Sequence, residues 1–155
     1  MSGAAFPNPA PAATSASVPA PLTLLAFDFG LKRTGVAAGN TLLRSAQPLR
    51  TVAAEGDARL KPIEALVREW QPAALVVGVP YHPDGAAHDN TLRAQRFARQ
   101  LRGRFGLPVH EVDERWSTTE ALSDLRGGER LTAGARDADA AAAAILLEQY
   151  FREHP

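Results

Sequence analysis

The tightest constraint in this sequence is the spacing of its first apolar runs. Leu22–Phe29, Thr34–Gly39 and Leu42–Val52 have the length and flanks of strands, and only Gly30–Arg33 and Gly39–Thr41 separate them. Neither link can hold a helix, so the three strands are expected to form an antiparallel meander. After Val52 the period changes. Ile63, Leu66, Val67 and Trp70 recur at i, i+3, i+4 and i+7, the stripe of a helix with one buried face, and Pro62 fits its first turn. Ala73–Val79 reads as a fourth strand, and Ala94, Phe97, Ala98, Leu101 and Phe105 mark a second helix. Leu107–Val112 is a fifth strand, and Ser117-Thr118-Thr119-Glu120 is a capping box opening a third helix that Gly127-Gly128 ends. The alanine-rich stretch Asp139–Phe151 closes the chain as a helix. Three strands followed by alternating helix and strand define an α/β fold, a mixed five-stranded sheet with helices on its faces.

The first twenty residues stand apart. They hold four prolines and no charge, too little apolar surface to offset the entropy of ordering them, so they are expected to form a disordered tail before a single domain at 21–155. The absence of cysteine excludes disulfides, thiolate zinc sites and a cysteine nucleophile. No apolar run approaches the ~20 residues that cross a bilayer, and no secretory signal is visible, so a cytoplasmic protein without membrane partners is expected. Seventeen basic residues balance seventeen acidic ones, so any polyanion must be met by a local patch rather than by a bulk field.

Chemistry in an α/β sheet gathers where strands end. Asp28 sits at the end of the first strand between two phenylalanines, Glu114 follows the fifth, and Asp137 and Asp139 stand at the last helix. Alone, each has a plain structural role: a turn cap, a loop ion pair with Arg115, a helix N-cap. Converging beside one sheet edge, three carboxylates would form an oxygen-rich site for a hard divalent cation, Mg²⁺ or Mn²⁺. Two such ions about 4 Å apart activate water for phosphodiester cleavage. Asp137 and Asp139 point about 200° apart on a helix. Asp139, in register with residue 143, is the better third acid, with Asp137 the fallback. Lys32 and Arg33 adjoin Asp28, and Arg115 adjoins Glu114, placing cations where phosphate would arrive; Arg136 is a further candidate. The five arginines between Arg93 and Arg104 are equally well read as a solvated helix face or as phosphate contacts. His82, His88, His110 and His154 have no zinc-ligand spacing. Asp28-Phe29-Gly30 spells a kinase motif without its companion motifs.

Four segments in order resemble the YqgF (RuvX) family. They are Leu25-Ala26-Phe27-Asp28-Phe29-Gly30 with Leu31–Ala37, Val77-Gly78-Val79-Pro80 through Asp84-Gly85, Asp113-Glu114-Arg115-Trp116-Ser117-Thr118, and Asp139 with Ala142, Ala143 and Ile145–Leu147. The resemblance spans about residues 22–151. It implies an RNase H-like fold and a metal-dependent endonuclease of structured nucleic acid, acting on pre-16S rRNA in ribosome biogenesis or on Holliday junctions. It also implies Asp28, Glu114 and Asp139 as catalytic and metal-binding acids, and the small ribosomal subunit as a partner. Leu31 departs from the threonine frequent there, removing a hydroxyl contact. Two rivals remain. An actin-like ATPase uses a similar strand turn but needs a second lobe, and a ribosome-associated RNA-binding module would keep the fold without catalysis. Monomer and dimer are both open.

Overall fold

The computed structural model describes residues 20–114 and 134–154, with side chains in the last segment from residue 138 onward. Its elements are β1 (Thr23–Phe29), β2 (Thr34–Asn40), β3 (Ala46–Val52), a 3₁₀ turn (Gly56–Arg59), α1 (Leu60–Trp70), β4 (Ala74–Val79), α2 (Asp89–Phe105), β5 (Val109–Asp113) and α3 (Gly134–Glu153). The strands form one sheet in the order β3–β2–β1–β4–β5. The β1–β2 and β2–β3 pairs are antiparallel, as the short links require, and β1–β4 and β4–β5 are parallel. Among the described residues no helix is long and apolar enough to cross a membrane.

The two-residue period of β1 divides the core. Leu25 and Phe27 face Ile63 and Leu66 of α1 and Phe97 and Leu101 of α2. Leu24 and Ala26 face the other way, onto Leu146, Leu147 and Phe151 of α3. Helix α3 lies close to the sheet because both surfaces are small: Ala37 of β2 packs against Ala143 and Ala144. Alanine supplies helix propensity while leaving the backbones near one another.

Three element starts differ from the sequence reading by two residues or more. The third strand begins at Ala46, not Leu42, because Asn40 turns the chain: its Oδ1 accepts the amides of Leu42 and Leu43 at 3.0 and 2.8 Å. Both leucines are left exposed. The fifth strand starts at Val109, since Pro108 has no amide to donate and contributes only its carbonyl, to Leu75. The last helix starts five residues before Asp139, which is therefore an interior helical residue and not an N-cap. The third helix expected after Ser117 lies outside the described residues.

A buried arginine secures the turn after β1. Arg59, 2% exposed, donates to the carbonyls of Gly30 and Leu31 (both 2.7 Å), to Gly56 (3.0 Å) and to the Thr34 hydroxyl (3.0 Å). Its guanidinium lies 4.5 Å from the Phe29 ring centroid. Burial lowers its pKa, while Glu55 and Asp57 pull in the opposite direction. Arg59→Met keeps the stem's packing but leaves three carbonyls short of a donor. It is expected to cost about 3 kcal/mol, read as a lower urea midpoint at unchanged m-value.

Candidate active site

Strand alternation puts Asp28 on the α3 face, two residues beyond Ala26. Its cross-strand partner is Gly35. On its other side, continuing the parallel register past Phe27 and Val77, lies Gly78. Both glycines are missing side chains for a reason that can be read from their surroundings. A Cβ on Gly35 would fall 1.9 Å from the Asp139 carbonyl oxygen and 2.8 Å from the Ala140 nitrogen. A Cβ on Gly78 would fall 2.8 Å from Glu114 Oε2 and 2.5 Å from Leu146 Cδ1. Asp28 is thus flanked by two gaps, one filled by the α3 backbone at Asp139 and the other by the Glu114 carboxylate. All three acids thus lie on the α3 side of the sheet near the end of the parallel strands, with Asp139 lining one hollow and Glu114 another.

Their states differ. Glu114 is half-buried, and its pKa is pushed up to about 6, first by desolvation and then by the neighbouring Asp113. Asp139 Oδ2 lies 3.0 Å from Arg33 Nε, close enough for an ion pair but off line for a hydrogen bond, so this buried oxygen accepts none. Among the described residues no three acidic or histidine side chains stand together as a ready-made cation site. The acids share a face, and Arg33 pairs with one of them. Lys32 and Arg33 stand on the turn after β1 and line a hollow with Asp139. A second hollow, with Asn90 and Glu114 in its walls, opens on the other side of Gly30 and Leu31. Arg115 and Trp116 lie outside the described residues, as do the side chains of Arg136 and Asp137.

Two supports escaped the sequence reading. Arg59 is one; its only signal was an arginine at the head of an amphipathic stripe. His88 is the other: its Nδ1 accepts the Asn90 amide at 3.1 Å while Thr91 Oγ1 accepts the His88 amide at 3.0 Å, a reciprocal cap on α2. Histidine is not a usual cap, and nothing in the spacing announced it. The Thr91 hydroxyl also donates to the Pro80 carbonyl, tying this helix start to the end of β4.

The RuvX family model, described as Holliday junction resolvase, matches residues 22–153. The chain belongs to the RuvX family. Two of its RuvX relatives carry the name "Putative pre-16S rRNA nuclease". One, from Polaromonas sp., is 65% identical over 86% of this chain and 90% of the relative; the other, from Albidiferax ferrireducens, is 68% identical over 84% and 78%. Among solved structures, RuvC of T. thermophilus in complex with a Holliday junction substrate matches with a TM-score of 0.53 at 15% identity. That match covers 85% of this chain and 94% of RuvC. At that identity the likeness is one of fold, and it bears out the expected five-stranded mixed sheet. All three acids, Asp28, Glu114 and Asp139, fall within the stretch matched to RuvX.

The raised Glu114 pKa has a consequence for stability. An acid whose folded pKa lies above its unfolded value weakens the fold when ionised. The penalty is absent below about pH 4.5, grows as pH rises, and is complete above about pH 6, where it amounts to ~2 kcal/mol. Glu114→Gln in EDTA-treated protein is therefore expected to raise the melting temperature by several degrees at pH 7.5 and to change it little at pH 4.5. An equal shift at both pH values would show that the charge of Glu114 is not the source.

Proposed function

We propose that this protein is a divalent-metal-dependent endonuclease that processes the 5′ end of pre-16S rRNA. What supports this reading is the placing of Asp28, Glu114 and Asp139 on one side of the sheet, in a RuvX-family chain whose relatives bear a nuclease name. The donor set fits a hard cation. It consists of carboxylate oxygens alone, one of them buried without a hydrogen bond and another with its charged form destabilised by burial, which a bound cation would relieve. Asp28 and Asp139 would hold Mg²⁺ or Mn²⁺, with Glu114 a further ligand or the group that positions the attacking water. The cation, when bound, supplies charge stabilisation and a water acidic enough to attack phosphorus.

The chain's own residues prepare that chemistry. Arg33 neutralises Asp139 in the free protein, and an incoming phosphate competes for the same guanidinium. Binding of substrate then frees Asp139 at the moment its charge is needed. Lys32 sits one residue away as a second phosphate contact, and Arg115 and Arg136 complete the proposed set. Soluble RNA-processing work of this kind belongs in the cytoplasm beside the small ribosomal subunit.

The test uses the full chain with Mg²⁺ or Mn²⁺, offered a precursor rRNA fragment and a four-way DNA junction in parallel. Cleavage of the RNA fragment, abolished by EDTA, is the expected result. Cleavage of the junction alone would move the activity to resolution of branched DNA, the reaction in the family's description. Binding without cleavage of either would leave an RNA-binding module and overturn the enzymatic reading.

A further inference from the structure

Helix α2 presents five arginines, and the fold sets two pairs of them apart. Arg102 lies 3.3 Å from Glu111 and donates to the Val109 carbonyl at 2.9 Å, while Arg104 lies 3.1 Å from Glu64. These two are engaged within the protein. Arg93 and Arg96, a turn or two earlier, instead line a groove of about 400 Å³ together with Leu31, Lys32 and the buried Arg59. Arg93 has a 3.1 Å hydrogen bond to the exposed Asn90 side chain. Among the described residues no carboxylate pairs with Arg93, Arg96 or Lys32. The facing wall carries Glu55 and Asp57, and Asp57 is bridged to α2 through Gln100 at 3.2 Å. Four cations thus meet two acids. Arg59 has its N–H groups engaged by three carbonyls and the Thr34 hydroxyl and adds chiefly its field.

The groove is continuous with the candidate active site. It shares Leu31 and Lys32 with the hollow of Asp139, and Phe29 and Leu31 with the hollow of Glu114. Leu31, half exposed, forms the ridge between them.

We propose that this groove holds the sugar–phosphate backbone flanking the cleaved bond, with Lys32, Arg93 and Arg96 each neutralising a phosphate. The proposal rests on the nuclease reading above and extends it: substrate is gripped over several nucleotides on the α2 side of the Gly30–Arg33 turn. Guanidinium groups without an internal carboxylate can pair with phosphate at no cost in lost ion pairs, which Arg102 and Arg104 cannot. Release of condensed counterions then makes the contact visible in the salt dependence of binding.

The experiment measures anisotropy of fluorescein-labelled RNA, a trinucleotide and a single strand of about a dozen nucleotides, on the full chain with Ca²⁺ across a salt series. Arg93→Gln combined with Arg96→Gln is expected to weaken binding of the longer strand about tenfold. It should also reduce the slope of log K against log salt by roughly 1.4, two contacts at about 0.7 each. Arg102→Gln is expected to leave both quantities at wild-type values. Wild-type affinity and slope in the double variant, or an equal loss in Arg102→Gln, would overturn the groove while leaving the nuclease reading in place. Failure of the wild-type protein to bind either RNA would overturn both.

Discussion

Gly35→Ala is expected to be the most destabilising small substitution in this protein. The added methyl would stand 1.9 and 2.2 Å from the carbonyl oxygen and carbon of Asp139 and 2.8 Å from the Ala140 nitrogen. All three are backbone atoms of α3 in mid-helix, so no side-chain rotation relieves the clash; strand or helix must shift. Overpacking of this kind costs roughly 3 kcal/mol or more, a fall of about 10 °C in melting temperature for a domain of this size. Gly78→Ala provides the contrast. Its neighbours are the ends of Glu114 and Leu146 side chains, which can move, so the stability loss should be less than half as large. Glu114 would be displaced all the same, and nuclease activity should fall further than stability does. Gly103→Ala, on α2 with nothing within 4 Å of the new methyl, should be neutral or stabilising by up to about 1 kcal/mol. Differential scanning calorimetry of the three variants tests the set. A wild-type melting temperature for Gly35→Ala would mean that α3 does not seat on β2 as described.

Asp28→Asn is the second large effect, and it separates activity from stability. Loss of one fixed electrostatic partner costs about 10²–10³ in turnover in other enzymes, and loss of a carboxylate at the centre of this acidic face should cost at least that. On the proposed site, where Asp28, Glu114 and Asp139 would share one cation, stability without metal should hold or rise, because a carboxylate charge is removed. Added Mg²⁺ or Mn²⁺ should raise the melting temperature of the wild-type protein by mass action and that of the variant far less. The same measurement on Asp137→Asn and Asp139→Asn decides the third acid, and only the Asp139 variant is expected to lose the response. Equal cation-induced shifts in wild type and Asp28→Asn would remove Asp28 from the metal site.

Much of this architecture was legible in the sequence because it rests on local rules. Links of three or four residues force antiparallel pairing, and helical stripes announce which face is buried: α1 buries Ile63 and Leu66, α2 buries Ala94, Phe97, Ala98 and Leu101, and Val67, Trp70 and Phe105 pack half-buried at the margin. Asp28 was visible because a carboxylate at the end of an apolar strand is costly without a purpose. Element boundaries were less legible where a single side chain decides them, as Asn40 does by capping the turn that holds Leu42 and Leu43 off the sheet.

The sequence determined the antiparallel half of the sheet and the place of Asp28 at the end of the first strand, since period and link length act between near neighbours. Only the tertiary structure decided that the α3 backbone at Asp139 lies over Gly35 and the Glu114 carboxylate over Gly78, on either side of Asp28. It alone paired Arg33 with Asp139, buried Arg59 beneath the turn, and divided the arginines of α2 into engaged and available. These are relations between residues up to about a hundred positions apart. They depend on which backbones approach closely and which charges find partners, quantities that no periodicity along the chain records.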